Sequence, residues 1–465
     1  MCDIIQLKQK RGVIMISRKI EKGLERFHKS KNNKALLITG ARQVGKTYSI
    51  REFGKSHYES FVELNFLENK DAQNLFENAT DSKDLLMRLS AIAGEKMIPG
   101  KTLIFFDEIQ AAKEIVTSIK FLVEDNSYSY ILSGSMLGVE LKNLRSVPVG
   151  YMDIVEMYPL DFEEFALANG VSSRVIDSLR DAFDKHRPVD QIVHNKMTAL
   201  FELYLIVGGM PAAVGKYLET NNLSEVLREQ RSIMELYKMD IGQYDPDHKL
   251  YIEEIFDLIP SELNSQNKRF ILKNLNENLK FSRYENSFIW LKDAGVALPV
   301  FCASEPRVPL KISKSTNLFK LFLSDVGLLS SAYMNNIQVK ILNHEKDINF
   351  GSIYENAVAQ ELKAHGFDLY YFRSKKQGEL DFIVEKDGEI LPIEVKSGKD
   401  YKKHAALSNV MANEDYKIPL AYVFHNGNVE QTDRVIYLPV YMLMFLVQKK
   451  ETEDMIYKID IDDLK

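Results

Sequence analysis

Cysteine is nearly absent from this 465-residue sequence. Its two cysteines, Cys2 and Cys302, build neither a disulfide framework nor a cysteine-ligated zinc site, and both are read as unpaired thiols of a reducing compartment, the cytoplasm. Long apolar runs are missing too. None approaches the roughly 18 residues of a spanning helix, so no membrane segment is expected. There is no excess of positive charge: the formal net charge of −6 excludes a uniformly basic nucleic-acid coat, although one domain can still carry a basic face. The apolar stretch from Val13 to Ile16, behind Lys8, Lys10 and Arg11, is too short for a secretion-signal core. Met15 is an alternative start, because the amphipathic run Ile20, Leu24, Phe27 begins just beyond it. With hydrophobic residues at 45% and charged ones at 27%, the composition is globular, and the length suits roughly two to four domains.

What the sequence does contain is Gly40-Ala41-Arg42-Gln43-Val44-Gly45-Lys46-Thr47, which fits G-x-x-x-x-G-K-[ST] at every fixed position. The apolar run Ala35 to Thr39 before it and the helical stretch Tyr48 to Lys55 after it supply the strand and helix that this loop needs. Glycines at both ends let the backbone curl so that the N–H groups of the loop, Gln43, Val44 and Gly45 among them, face phosphate oxygens at a helix N-terminus. Lys46 then reaches the β- and γ-phosphates, and the Thr47 hydroxyl ligates Mg²⁺.

Further along, Leu103-Ile104-Phe105-Phe106-Asp107-Glu108 describes a strand buried on both faces whose carboxyl end opens at the ligand crevice. Asp107 is the candidate for the Mg²⁺ shell, and Glu108 is the candidate base that orients and deprotonates water. Phe61 to Phe66, Tyr130 to Leu132 and Met152 to Tyr158 are further strands. Ser133 or Ser135, just after the second of these, is placed to contact the γ-phosphate or the water. Strands alternating with helical stretches predict a parallel, doubly wound α/β sheet.

The phosphate loop, Phe106-Asp107-Glu108-Ile109-Gln110, Leu132-Ser133-Gly134-Ser135 and Tyr158-Pro159-Leu160-Asp161-Phe162-Glu163-Glu164-Phe165 together resemble the AAA-type P-loop ATPases of bacteria and archaea that carry a C-terminal domain of unknown function. The resemblance reaches over nearly the whole chain and implies ATP, Mg²⁺ and a helical lid after the ATPase module. Gly208-Gly209-Met210-Pro211 resembles a signature closing that lid, and it also reads as a helix-ending turn. Related chains usually carry a basic residue just before the last core strand. Here Gly150-Tyr151 stands there, leaving Arg145 as the nearest candidate to stabilise transition-state charge.

The helical pattern Leu223 to Met239 is broken from Gly242 to His248, and helices are expected over Tyr251–Ile259, Arg269–Leu275 and Tyr284–Ala294. Their order resembles a winged-helix module. Lys268, Arg269, Lys273, Lys280, Arg283 and Lys292 make it locally basic, compatible with DNA phosphate contacts, although such modules also mediate protein contacts and close over the nucleotide; Trp290 reads as core. Beyond it lies an amphipathic helix from Gly351 to Leu362, with Ile353, Ala357, Val358 and Leu362 on one face. Three strands follow, Leu369–Arg373, Glu379–Glu385 and Ile390–Ser397, the last two joined by the hairpin signal Asp387-Gly388. Strand alternation points Glu394 and Lys396 the same way, with Asp381 across the hairpin. Two carboxylates and an ammonium together are the inventory for holding Mg²⁺ and activating a water at a phosphodiester. The pattern resembles the PD-(D/E)xK signature of restriction-endonuclease-like domains. That resemblance implies metal binding by Asp381 and Glu394, assistance by Lys396, and an extra acid at Glu355.

The expected organisation is an N-terminal extension and helix (1–30), a P-loop ATPase core (31–165), a helical lid (166–240), a winged-helix-like module (241–330) and an α/β nuclease-like domain (331–465). The function read from it is an ATP-binding, Mg²⁺-dependent ATPase coupled to a domain that binds or cleaves nucleic acid. The alternative is a nucleotide-dependent switch whose nuclease-like domain only recognises a partner. ATP, DNA or RNA, and further copies of the chain are the partners these readings admit.

Overall fold

A computed structural model describes residues 16–448 except 31–33, 78–80, 94–95, 113, 136–149, 245–248, 266–267, 272–274, 276–280, 334–336, 344–349 and 399, and in addition 9–10, 13–14 and 459. Cys2, Met15, Arg145, Lys273 and Lys280 lie outside the described residues.

The N-terminal half is built on five strands, β1 (Ala35–Thr39), β2 (Ser60–Asn65), β3 (Thr102–Asp107), β4 (Ser129–Ser133) and β5 (Met152–Glu156). They pair in parallel in the order β2-β3-β4-β1-β5. Alternation along each strand divides the apolar residues between two faces. Leu37, Leu64, Ile104, Phe106 and Leu132 pack with Leu85 and Leu89 of the helix Ser82–Ile92 and with Ile115, Ile119 and Leu122 of the helix Glu114–Asp125. Leu36, Ile38, Leu103, Phe105 and Ile131 pack on the opposite face with Ile50 and Phe53 of the helix Lys46–His57 and with Leu24 of the helix Ile20–Lys29. Every residue of β3 is buried, so its carboxyl end delivers Asp107 to the crevice without freedom to shift.

Four helices follow β5 and the short helix Phe162–Ala168: Ser173–Asp184, Gln191–Val207, Pro211–Thr220 and Leu223–Tyr244. The last runs through Gly242 to Tyr244, so the break expected from Gly242 is not there at its start, and residues 245–248 lie outside the described ones. Next come the helices Lys249–Asn264 and Phe281–Asp293. The helix expected over Arg269–Leu275 is not formed at residues 268–271, which run without regular structure.

The second sheet has eight strands: β6 (Ala297–Ala303), β7 (Lys314–Leu323), β8 (Tyr370–Ser374), β9 (Gly378–Lys386), β10 (Glu389–Lys396), β11 (Ala421–His425), β12 (Glu430–Thr432) and β13 (Val435–Pro439). Their order is β12-β13-β11-β10-β9-β8-β6-β7. The β9–β10 hairpin turns at Asp387 and Gly388, both with positive φ (51° and 81°), the backbone that a two-residue primed turn demands. Because β6 pairs in parallel with β8, the segment expected as a separate winged-helix-like module shares its sheet with the residues beyond 331. The buried helix Phe350–Ala364 lies on one face of this sheet and the helix Ala405–Met411 on the other.

Three glycines mark where the lid comes close to its neighbours, Gly208 and Gly327 between the lid and this C-terminal half and Gly209 against Leu160. A Cβ on Gly209 would lie 2.0 Å from the Leu160 carbonyl oxygen, and one on Gly327 would lie 2.5 Å from that of Val207. The Gly208-Gly209-Met210-Pro211 stretch is therefore a site of close backbone approach. Gly208 (φ 71°) ends one helix, and Pro211 opens the next. Asp325 closes the contact. Its fully buried carboxylate accepts from Gly209 N–H at 2.6 Å and Leu328 N–H at 3.0 Å, and burial pushes its pKa up to about 6 against those donors. Asp325→Ala leaves both N–H groups unpaired, and chemical denaturation should show a loss of about 2 to 4 kcal/mol.

Candidate nucleotide site and C-terminal carboxylate cluster

The phosphate loop runs from β1 to the helix Lys46–His57. Gly40 (φ 134°), Gln43 (φ 66°) and Gly45 (φ 99°) provide its curl, and at Gly40 a Cβ would come within 2.1 Å of the Met157 carbonyl oxygen. Lys46 is buried, and its ammonium donates to the carbonyls of Gly40 (3.0 Å) and Ala41 (2.8 Å) within its own loop. Burial pulls its pKa down to about 8, opposed by the charges of Glu108 and Asp107. An anionic phosphate would restore the charge that this burial disfavours.

Asp107 is the hub. Its carboxylate accepts from Thr47 Oγ1 at 3.0 Å and from Ser133 Oγ in a short hydrogen bond, while burial raises its pKa. Glu108, in the left-handed region (φ 57°), donates its N–H to Asp107 Oδ1 at 3.1 Å. Its own carboxylate accepts from Gln110 Nε2 and lies 3.4 Å from Ser135 Oγ. Thus Ser133 and Ser135 take different acids. A cavity of about 630 Å³ opens over these groups, walled by Arg18, Arg42, Lys46, Thr47, Glu108 and Pro211. Thr47 and Asp107 are oxygen donors held side by side with space for phosphates, a donor set that suits Mg²⁺.

Three features of this site went unread in the sequence. Arg18 is buried, donating to the Val44 carbonyl at 2.8 Å and the Tyr158 carbonyl at 2.7 Å; its Nε faces Glu164 at 3.2 Å as an ion pair rather than an aligned hydrogen bond. Arg42 pairs with Asp240, and Tyr237 Oη donates to the Arg42 carbonyl at 3.1 Å, so the helix Leu223–Tyr244 touches the phosphate loop directly. Gln110 holds Glu108. The signal for Arg18 was only a basic pair ahead of an amphipathic helix, and its partners lie 26 to 146 residues away.

At the other site, β9 and β10 bring Asp381, Glu394 and Lys396 together. Asp381 Oδ2 accepts from Val395 N–H at 2.9 Å, and Lys396 Nζ lies 2.8 Å from Glu394. Glu394 is buried rather than at the sheet rim. Burial, then the neighbouring charge of Asp381, pushes its pKa up to about 8. Glu355 is buried and engaged by two ammonium groups, Lys268 in a short contact and Lys320 at 3.4 Å. Lys268 thus turns inward instead of facing a phosphate backbone. Lys320 also meets Glu379 at 3.1 Å. Its signal in the sequence was a single lysine inside Leu318-Phe319-Lys320-Leu321-Phe322-Leu323. Among the described residues, no group of three or more His, Cys, Asp or Glu side chains is arranged to hold a metal ion.

Residues 32–166 match the AAA domain family. The N-terminal unit is an AAA domain. Residues 198–339 and 350–443 match two domains of unknown function, DUF8612 and DUF4143. An uncharacterized protein of Haemophilus influenzae is 23% identical over 398 residues, 82% of this chain and 87% of that one. Among solved structures, similarity extends to the Aeropyrum pernix ORC1 protein in complex with DNA (12% identity, TM-score 0.30, 72% of this chain and 94% of that one). It extends also to a variant of RuvB from Thermotoga maritima (12% identity, TM-score 0.27, 63% of this chain and 88% of that one). Likeness at these scores supports no functional statement by itself. The α/β class, with a five-stranded parallel P-loop core and a C-terminal mixed sheet, is the fold observed. No helix among the described residues is long and apolar enough to cross a membrane.

Arg18→Ala would leave two carbonyls unpaired and take the guanidinium charge from the buried Glu164 carboxylate, which keeps only its backbone donors. A loss of about 3 kcal/mol is expected in urea unfolding, more than for any exposed arginine of the same helix region.

Proposed function

We propose that the AAA domain binds ATP with Mg²⁺ and hydrolyses it, and that the rest of the chain turns the nucleotide state into recognition of a partner. The observation that carries this reading is the Asp107 carboxylate, held by Ser133 and by Thr47, which with Lys46 and Glu108 walls a cavity of nucleotide size. The N–H groups of the loop from Gly40 to Lys46 bind phosphate, and the Lys46 side chain leaves its two carbonyls for the β- and γ-oxygens. Thr47 and Asp107 are the residues that would hold Mg²⁺, which supplies charge neutralisation at the phosphates when bound. Glu108, kept in place by Gln110 and near Ser135, orients the water and receives its proton. Ser133, bound to Asp107, fixes the direction of that carboxylate.

Lys46→Ala should weaken binding of a fluorescent ATP analogue roughly 100-fold, by loss of a charge-assisted bond. Glu108→Gln should bind it as wild type does while phosphate release slows about 100-fold or more. Normal turnover by Glu108→Gln would remove Glu108 from the proton-transfer role.

A second reading, cleavage of DNA or RNA by the C-terminal cluster, is favoured by the meeting of Asp381, Glu394 and Lys396. It requires Mg²⁺-dependent strand cleavage that Asp381→Asn and Lys396→Ala abolish while ATP turnover continues. If nucleic acid is bound at all, its affinity should fall steeply with salt, because each neutralised phosphate releases counterions. Salt-independent association would point to a protein partner.

A further inference from the structure

The C-terminal cluster draws its charges from separate elements. Glu355 comes from the helix Phe350–Ala364, Glu379 and Asp381 from alternate positions of β9, Glu394 and Lys396 from β10, and Lys320 from β7. Lys320 stands out among them. It is 1% exposed, its ammonium lies 3.1 Å from Glu379 and 3.4 Å from Glu355, and the Tyr371 ring is 5.2 Å away. Burial alone would lower its pKa, but the charges of Glu355, Asp381 and Glu379 outweigh burial and hold it above the ordinary lysine value.

A divalent cation needs several carboxylate oxygens with lone pairs free and converging at roughly 2.0–2.6 Å. Here the carboxylates already have partners within the chain. Glu355 gives one oxygen to Lys268 and the other to Lys320, Glu394 faces Lys396, and Asp381 Oδ2 accepts the Val395 N–H. The stem of Lys320 leaves a buried strand between Phe319 and Leu321, so the ammonium has no route to solvent that would vacate its place. A divalent cation would add its two charges to the three ammonium groups, Lys268, Lys320 and Lys396, that already balance these acids.

We propose that Lys320 is the resident cation of this cluster, standing where a divalent metal would otherwise be bound, and that the C-terminal domain works without a metal there. A site neutralised in this way can bind a partner through fixed charges and hydrogen bonds, but it has no metal-bound water to aim at a phosphodiester. The assignment is independent of ATP hydrolysis, since none of these side chains walls the nucleotide cavity.

The test uses the full chain without nucleotide and Mn²⁺ alone as probe, followed by electron paramagnetic resonance and calorimetry. Wild type should show no Mn²⁺ site that Asp381→Asn or Glu394→Gln removes, at Mn²⁺ up to about 1 mM. Lys320→Ala, and Lys320→Met, which keeps the stem volume, should gain such a site with at least about tenfold tighter binding, lost again when Asp381→Asn is added. An Mn²⁺ site in wild type that Asp381→Asn abolishes overturns the proposal. So does a folded Lys320→Ala protein that binds no more Mn²⁺ than wild type. Should both Lys320 variants fail to fold, the wild-type comparison with Asp381→Asn decides alone. ATP turnover measured in the same samples reports separately on the nucleotide site.

Discussion

The guanidinium of Arg18 fastens the phosphate loop to the rest of the molecule. One nitrogen holds the Val44 carbonyl inside the loop, a second holds the Tyr158 carbonyl beyond the last strand of the AAA sheet, and the third faces Glu164 on the helix Phe162–Ala168. Glu164 belongs to a capping box with Asp161, and Asp161 meets both Lys19 and His365. The loop's shape, the start of the lid and the end of the helix Phe350–Ala364 are therefore fixed by one buried set of charges. Such a set stabilises only while every member is paired, which is why its geometry is confined to a single arrangement.

Legibility in the sequence followed the range of the interactions. The phosphate loop could be read because its backbone curl is encoded locally by Gly40 and Gly45, and Asp107 because the four apolar residues ahead of it suit the buried strand they form. The β9–β10 hairpin was equally plain, since Asp387-Gly388 states its own turn. What could not be read depends on contacts made far along the chain. Asp240 reaches Arg42 across 198 residues, and Glu361 reaches the Phe162 N–H across 199. The sheet that this segment shares with later residues was hidden for the same reason: the pairing of Ala297–Ala303 with Tyr370–Ser374 is announced by no local pattern.

The two acid-rich sites contrast in how their carboxylates are neutralised. Around Asp107 the neighbours are hydroxyls, which leave room for a cation and for phosphates to arrive together. Around Glu355, Glu379 and Glu394 the neighbours are ammonium groups on lysine stems, so balance is reached within the chain itself. Similar acids thus serve opposite ends, one site kept open for charge and the other already filled.

The helix Phe350–Ala364 carries Glu355 toward its start and Glu361 near its end, six residues or about 9 Å apart along the axis. The first is gripped by Lys268 and Lys320, the second by the Phe162 N–H and the Tyr204 hydroxyl. A rod clamped at both ends cannot creep. A small slide would break both grips at once, and the nearest register in which equivalent faces meet again is a full turn, about 5.4 Å, away. The nucleotide end of this protein and its C-terminal sheet are thus joined along this helix by two grips that hold or fail together.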